Sequence, residues 1–426
     1  MKATTAALAL LLLSVRPAFA CPGDCNDDCK VDVSEIVLGI GIALGETPIS
    51  ACAGIDLDQS GSAQVDELVS AVDVALNGCS NRLAFAAARR YGTGDSPRSV
   101  AVGDIDGDGW PDVAAANHIS HDVSILLNDG AGSFGSEARF AVGSIPLGIV
   151  VAKFDGDDFA DIATANGGSG DVSVLIGSGD GAFLDEQRFP AGAGARTILA
   201  QHVDANATLD LLVAAPGVEG IRVLFGHGDG TFDRVVIGAG FRPWWVALGE
   251  VTGDAVADLV SVNAETSDLT ILAGVAAGGF VGRRLPLAHA GYSVAIADVD
   301  DDGSADLLTG NGGNASVSLL RGVGGGAFAP PVRIAVGPGP FPVHVADVNG
   351  DEIDDIVTAN ETSGDVSIRL GNGDATFGAD QRFAVGPSPY ALALADVDRN
   401  GAVDLVAATG AVDQVAIRRG SRCSVR

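Results

Sequence analysis

Basic residues are scarce in this chain. Lys and Arg total 25 against 55 Asp and Glu, a formal net charge of −30 over 426 residues. There is no basic run to track a phosphate backbone, so nucleic acid is a poor partner. Aromatics make up only 5%, with three Trp and three Tyr, and the few at repeated positions therefore carry weight. Beyond the first twenty residues no stretch is long and apolar enough to span a membrane. No GxSxG, HExxH or P-loop occurs, which removes the common hydrolase, zinc-protease and nucleotide signatures. The six histidines (His118, His121, His202, His227, His289 and His344) are scattered and form no ligand pattern. What is plentiful is Gly, at 59, and hydrophobic residues, at 47%. Such a chain buries cores of small side chains, and its length allows two or three domains. Its acidity suits cation binding.

The opening MKATTAALALLLLSVRPAFA has the three parts of a secretory signal: Lys2, an apolar run from Ala6 to Leu13, and a small-x-small end at Ala18-Phe19-Ala20. The expectation is an exported mature protein, secreted, periplasmic or at the cell surface. Cys21 follows directly and raises lipid anchoring as an alternative, although Phe19 fits a lipobox poorly. The six cysteines are Cys21, Cys25, Cys29, Cys52, Cys79 and Cys423, which agrees with an oxidising compartment. A zinc site lacks support, because no CxxC pair and no nearby His occurs among them.

The acidic stretch DIDGDGWPD, beginning at Asp104, recurs through the chain. Its copies begin at Lys153, His202, Glu250, Asp298, Asp347 and Asp396, in steps of 49, 49, 48, 48, 49 and 49 residues. Around each copy lie short runs of small and β-branched residues: SVAVG (Ser99 to Gly103) before it, DVAAAN (Asp112 to Asn117) and DVSILL (Asp122 to Leu127) after it, and a fourth run from Phe134 to Val142. Four antiparallel strands per unit, seven times, predict an all-β chain folded as a seven-bladed β-propeller of four-stranded blades. Each blade needs its neighbours to cover its faces. The last unit ends after its third run, Gln414 to Arg419, and the segment Phe85 to Tyr91 stands at the spacing of the missing fourth. The N-terminal strand is therefore expected to close the ring and remove its open edge.

The order PRSVAVGDIDGDGWPDVAAAN, then DVSILLNDGAGSFG, resembles the FG-GAP repeat, in the bacterial form often called VCBS and related to the repeat of integrin α-subunit propellers. The resemblance covers about residues 84–420, with 421–426 left as a tail. It implies calcium between the first and second strands of a blade, on one face, and ligands on the other.

The residues agree with that chemistry, since carboxylates at alternate positions of a tight turn supply the oxygen shell calcium requires. Four loops keep the pattern: Asp104/Asp106/Asp108/Asp112, Asp298/Asp300/Asp302/Asp306, Asp347/Asn349/Asp351/Asp355 and Asp396/Asp398/Asn400/Asp404. Glu352 stands where the third of these should have Gly. In blades two and three Lys153 and His202 replace the first ligand, and no ion is expected there. Lys153 is expected to neutralise Asp155, Asp157 and Asp161 instead. Blade four, with Glu250 and Thr252 at positions one and three, is left open. The ions are expected to brace hairpins; a single active site would not recur on several blades.

Residues 21–80 carry a second duplication. DCNDDCKVDVSE and DLDQSGSAQVDE place Asp24, Asn26, Asp28, Glu35 and Asp56, Asp58, Ser60, Glu67 at positions one, three, five and twelve of EF-hand-type calcium loops. Helical apolar spacings follow each, Ile36-Val37-Ile40-Leu44 and Leu68-Val69-Val72-Leu76. Loop plus outgoing helix, twice, resembles a dockerin, a family that binds cohesins. Val33-Ser34 and Val65-Asp66 depart from the hydroxyl pairs of cohesin recognition, however, and Glu35 and Glu67 replace the final Asp. The competing reading is a small cap braced by calcium and disulfides. If the closing strands pair, Cys79 and Cys423 come near each other and a Cys79–Cys423 bridge would lock the ring; Cys29–Cys423 is the alternative.

Six residues before each acidic loop one position recurs, holding Arg98, Leu147, Arg196, Trp244, Tyr292, Phe341 and Tyr390 around the ring, with Trp245 beside Trp244. Contiguous aromatics flanked by arginines at a channel mouth suit sugar stacking or peptide capture. Packing of these rings between blades is the competing reading. The expected function is non-catalytic binding of a glycan or surface protein. The alternatives are a polysaccharide-degrading enzyme, such as a lyase, or its accessory, and a structural envelope component.

Overall fold

The computed structural model describes residues 33–44, 83–204, 206–237, 242–274, 279–287 and 289–421. They divide into two units, residues 1–86 with 423–426, and residues 87–422. In the first unit a helix runs over Val33–Ala43 and carries Ile36, Val37 and Ile40 of the expected apolar spacing. Leu44 follows as a turn residue whose amide donates to the Ile40 carbonyl at 2.9 Å. Glu35 lies in the first turn of this helix. The expected ligands Asp24, Asn26, Asp28, Asp56, Asp58, Ser60 and Glu67, the second helical spacing, the signal segment and all six cysteines, hence the Cys79–Cys423 bridge, lie outside the described residues.

The second unit is a ring of seven four-stranded antiparallel sheets. Blade one runs outward from the channel through Pro97–Gly103, Asp112–Asn117, Asp122–Leu126 and Ala138–Ala141. The next five blades repeat that order. Blade seven takes three strands from the C-terminal end, Pro389–Ala395, Asp404–Thr409 and Gln414–Arg418, and its fourth, Arg89–Gly92, from the N-terminal side. Tyr91 opposes Val415 and Arg89 opposes Ile417, so the ring closes as expected, a few residues later than the Phe85–Tyr91 spacing suggests. In blades one, two, five and six the fourth strand also starts later than its Phe, whereas in blades three and four it starts at Phe232 and Phe280. Phe134 makes only an isolated bridge to Asn128, and the strand itself starts at Ala138 after a turn.

Burial explains the composition. Every residue of Asp112–Asn117 and Asp122–Leu126 is buried, because both faces of the middle strands are covered by neighbouring blades. Small, β-branched and Leu side chains fill the space between two such sheets, in runs from Val113-Ala114-Ala115-Ala116 to Leu211-Leu212. The seam between last and first blades is continuous core: Val100, Val113 and Ala115 pack with Val406, Ala408 and Val415, and Tyr91 lies against them. Tyr91 also meets Phe134 edge-on at 5.2 Å.

A buried polar lattice that the repeat spacing did not suggest ties five of the seven blades. In blade one Asn117 Nδ2 donates to Asp122 Oδ1 and Ser124 Oγ, both at 2.8 Å, and Arg139 Nε donates to Asp122 Oδ2 at 2.9 Å. The same trio, Asn166, Asp171 and Ser173, recurs in blade two, and Asn360, Asp365 and Ser367 in blade six. In blade three Arg222 stands at the Ser position, and its guanidinium caps the Glu219 and Gly220 carbonyls at 2.6 and 3.0 Å.

Candidate metal loops and a channel-mouth site

The acidic loops join the innermost strand of each blade to the second, at one end of the channel. Their backbone is folded by their own side chains. In all seven, the carboxylate or amide oxygen at position five accepts the amide of position seven, from Trp110 N to Asp108 at 2.7 Å through Ala402 N to Asn400 at 2.7 Å. Position six has positive φ at Gly109, Gly303 and Gly401, and also at Ala255 and Glu352, so Glu352 holds a conformation that favours Gly.

The ninth-position Asp is a staple in every blade. Asp112, Asp161, Asp210, Asp258, Asp306, Asp355 and Asp404 are all 0% exposed. Each accepts one amide from the residue seven before it and one from the residue sixteen after it: Asp161, for example, takes Phe154 N at 2.6 Å and Gly177 N at 2.8 Å. That dual bond is why this Asp persists in blades two and three, whose loops lack the first ligand. Burial pushes Asp112, Asp161 and Asp355 up to about 6 and Asp404 up to about 7, against the lowering effect of the two amides.

Carboxylates converge to within 4.8 Å at Asp104/Asp106/Asp108 in blade one, Glu250/Asp254/Asp258 in blade four, Asp298/Asp300/Asp302 in blade five and Asp396/Asp398/Asp404 in blade seven. Blade four, left open by the sequence, thus gathers three. In blade six Asp347 spends its oxygens on the amides of Gly350, Asp351 and Glu352, and Asn349 Nδ2 donates to Asp351. Burial, with the charges of Asp108 and Asp104, raises Asp106 despite a bond from the Asp108 amide. Burial raises Asp398 as well, despite Arg419. Asp300 Oδ1 and Asp398 Oδ1 are buried with no hydrogen-bond partner. Crowded carboxylates with orphaned oxygens fit a hard cation held by oxygen, and calcium bound there would cross-link the loop to its hairpin.

Two departures qualify the expected set. Arg321 pairs with Asp300, and Arg419 Nη1 lies 3.4 Å from Asp398 Oδ2, so in blades five and seven a guanidinium competes for the third position. The equivalent residue in blade one is Leu127. Lys153 does not do what was expected of it: it lies 3.8 Å from Asp158 and within ion-pair distance of none of Asp155, Asp157 and Asp161.

At the other end of the channel the structure brings the recurring positions together. Arg98, Arg196, Trp244, Tyr292, Phe341 and Tyr390 line one cavity of about 350 Å³. Arg98, Arg196, Phe341 and Tyr390 are shared with an adjoining cavity of about 200 Å³, deeper along the inner strands, which Leu147 and Trp245 also line. The rings do pack on one another. Trp244 meets Tyr292 at 5.4 Å, Tyr292 meets Phe341 at 6.5 Å and Trp245 meets Phe341 at 5.5 Å, all edge-on. Gly410 makes room for Tyr390, since a Cβ there would lie 2.9 Å from the ring. The packed rings still leave open space, so they form a wall.

The Arg98 guanidinium carbon sits 3.5 Å from the Tyr390 ring centroid, and that of Arg196 sits 4.5 Å from the Trp244 ring. Burial, then the charge of Arg98, lowers Arg196 to about 10, partly offset by Glu361 at the rim. Two further lining residues fall outside the recurring position, and neither has a place in the site expected from the sequence. Glu361 lines the larger cavity. His344 lines the deeper one, where burial pushes it down to about 4 and leaves Nε2 unpartnered.

A family model described as an FG-GAP-like repeat matches residues 56–115, 104–164, 298–358 and 347–407, just over half of the chain. The first match begins at Asp56 and so takes in the second acidic loop of the N-terminal region. No curated protein matches the chain. Among solved structures, BBS1N in complex with ARL6DN, soaked with mercury, is similar with a TM-score of 0.57 at 13% identity over 79% of this chain and 96% of that one. The lead-soaked form gives 0.56 at the same identity and coverage. An Agrocybe aegerita lectin, described by its recognition of non-reducing terminal N-acetylglucosamine, gives 0.47 at 18% identity over 72% of this chain and 82% of that one. At 13% identity the likeness to BBS1N is one of fold. Among the described residues no helix is long and apolar enough to cross a membrane.

Proposed function

The chain belongs to the FG-GAP-like repeat family, and from that premise we propose that it is an exported, calcium-braced propeller that binds a glycan or a surface protein, without catalysis, at the channel mouth remote from the acidic loops. One observation carries the reading. In a chain of net charge −30, Arg98 and Arg196 stack on aromatic rings around an open cavity and have no ion-pair or hydrogen-bond partner for their guanidinium groups among the described residues. Charged groups left unpaired beside an apolar wall suit a ligand that brings both an acceptor and a flat or apolar face. The acidic loops support the blades, because the same bonds recur in each. Export rests on the pattern of residues 1–20. The nearby histidines do not favour acid–base chemistry: burial, then Arg98, lowers His118, and burial lowers His344.

The test is binding of the purified protein, in millimolar calcium, to a broad glycan array beside a Trp244→Ala/Tyr390→Ala variant of equal thermal stability. Specific binding lost in the variant, with the bound glycan recovered intact, is the expected result. Cleavage of the glycan would replace the non-catalytic reading with an enzymatic one. Absence of binding by the wild type would move a protein partner to the front.

A further inference from the structure

We infer that the group recognised at the channel mouth is the carboxylate of an acidic sugar, held between Arg98 and Arg196 while its ring stacks on the aromatic wall. The inference rests on the proposed binding at this mouth and specifies its chemistry. Polar atoms here are unevenly divided. The two guanidinium groups supply donors only. Arg98 Nε and Trp244 Nε1 are buried without an acceptor. The one carboxylate lining the cavity is Glu361, which is exposed and beyond ion-pair distance of either arginine. A ligand that completes this site has to bring acceptors and negative charge, and a neutral sugar hydroxyl brings no charge.

The arginines also face each other's charge. Burial and the charge of Arg98 both act against the Arg196 cation, with Glu361 a partial offset, and an anion between the two arginines favours the charged form of both. Burial, then the charges of Arg98, His121 and Arg196, lowers His118, so these groups disfavour a third cation beside the two arginines.

Shape selects a sugar. The walls of the larger cavity come from six blades around the channel axis rather than from one sheet edge. Such a cup admits a single ring or a chain end, while an extended peptide would lie along an edge. At about 350 Å³ it falls at the low end of small-ligand sites. Trp244, Tyr292, Phe341 and Tyr390 line it together with the two arginines, Arg196 over the Trp244 ring and Arg98 over the Tyr390 ring.

The experiment is calorimetric titration of the full chain, in millimolar calcium, with galacturonate, glucuronate and sialic-acid oligosaccharides, each paired with its methyl ester. The ester keeps the rings and removes the charge. The expected result is binding of at least one acid, weakened roughly tenfold or more in its ester and in Arg196→Gln, the scale of one lost charge-assisted hydrogen bond. Arg98→Gln provides a second variant should Arg196→Gln unfold, and binding should weaken as salt rises. Equal binding of acid and ester would overturn the carboxylate assignment and leave the mouth as a neutral-sugar site. Binding on the glycan array confined to neutral sugars and lost in Trp244→Ala/Tyr390→Ala would do the same. Acid binding unchanged in both arginine variants would place the anion elsewhere and overturn the inference. Failure of every sugar, acidic or neutral, would remove the glycan reading itself.

Discussion

Asp161→Ala isolates the ninth-position staple from any ion, because blade two carries Lys153 in place of the first ligand. The variant deletes two hydrogen bonds, from Phe154 N at 2.6 Å and Gly177 N at 2.8 Å, at a side chain that is 0% exposed. Each orphaned buried donor costs about 1–3 kcal/mol, so the variant should lose roughly 2–6 kcal/mol. The pH dependence has a definite sign. Burial raises the folded carboxyl from 3.8 to about 6. A raised acid contributes stability that is complete below the unfolded value and is lost as pH rises through the folded one. The cost of Asp161→Ala should therefore be larger at pH 5 than at pH 8. Guanidinium unfolding in EDTA at both pH values measures this, with amide exchange at Phe154 and Gly177 reporting the local bonds. Calcium should not change the gap between variant and wild type. A loss under about 0.5 kcal/mol at pH 5, the range of an ordinary surface change, would refute the staple. A larger loss at pH 8 would refute the assigned shift.

The remaining predictions concern the loops and the seam. Arg321→Leu frees Asp300 and should tighten calcium at blade five several-fold, at about 1 kcal/mol for a half-exposed ion pair; calcium titration followed by melting temperature checks this, and no gain would mean the guanidinium does not compete. Glu352→Gly relieves a positive φ and should add about 1 kcal/mol of stability in thermal melts; a neutral or destabilising result would mean the Glu352 side chain makes up for its backbone. Tyr91→Ala removes the edge-on contact with Phe134 at 5.2 Å and should cost roughly 1–3 kcal/mol. It should also speed proteolysis near residue 93, and unchanged protease resistance would show that the closing strand is held without it.

Much of this architecture was legible because a propeller repeats. A 48- or 49-residue period, a strand missing at one end and its counterpart at the other can be counted from the chain alone. The recurring position six residues before each loop was legible for the same reason, and its residues do line one channel mouth. What escaped were contacts with no fixed period. Arg321 and Arg419 lie 21 residues after the carboxylates they meet, but only two blades carry an Arg at that point. Lys153 was assigned to carboxylates in its own turn and instead leans toward Asp158 on the exposed side. The role of Asp161 as a staple was masked because it shares a motif with expected metal ligands.

The sequence by itself determined the blade count, the strand order and the way the ring closes, since hydrophobic alternation and turn residues act over a few positions and the repeat multiplies their signal. Only the tertiary structure decided which carboxylates converge, which are already occupied by backbone amides, and that Arg98 and Arg196 share a cavity without an ion-pair partner among the described residues. Those outcomes depend on side chains from different blades meeting across the channel or the loop. Burial and Coulomb energy act over distances in space, and the order of residues along the chain does not contain them.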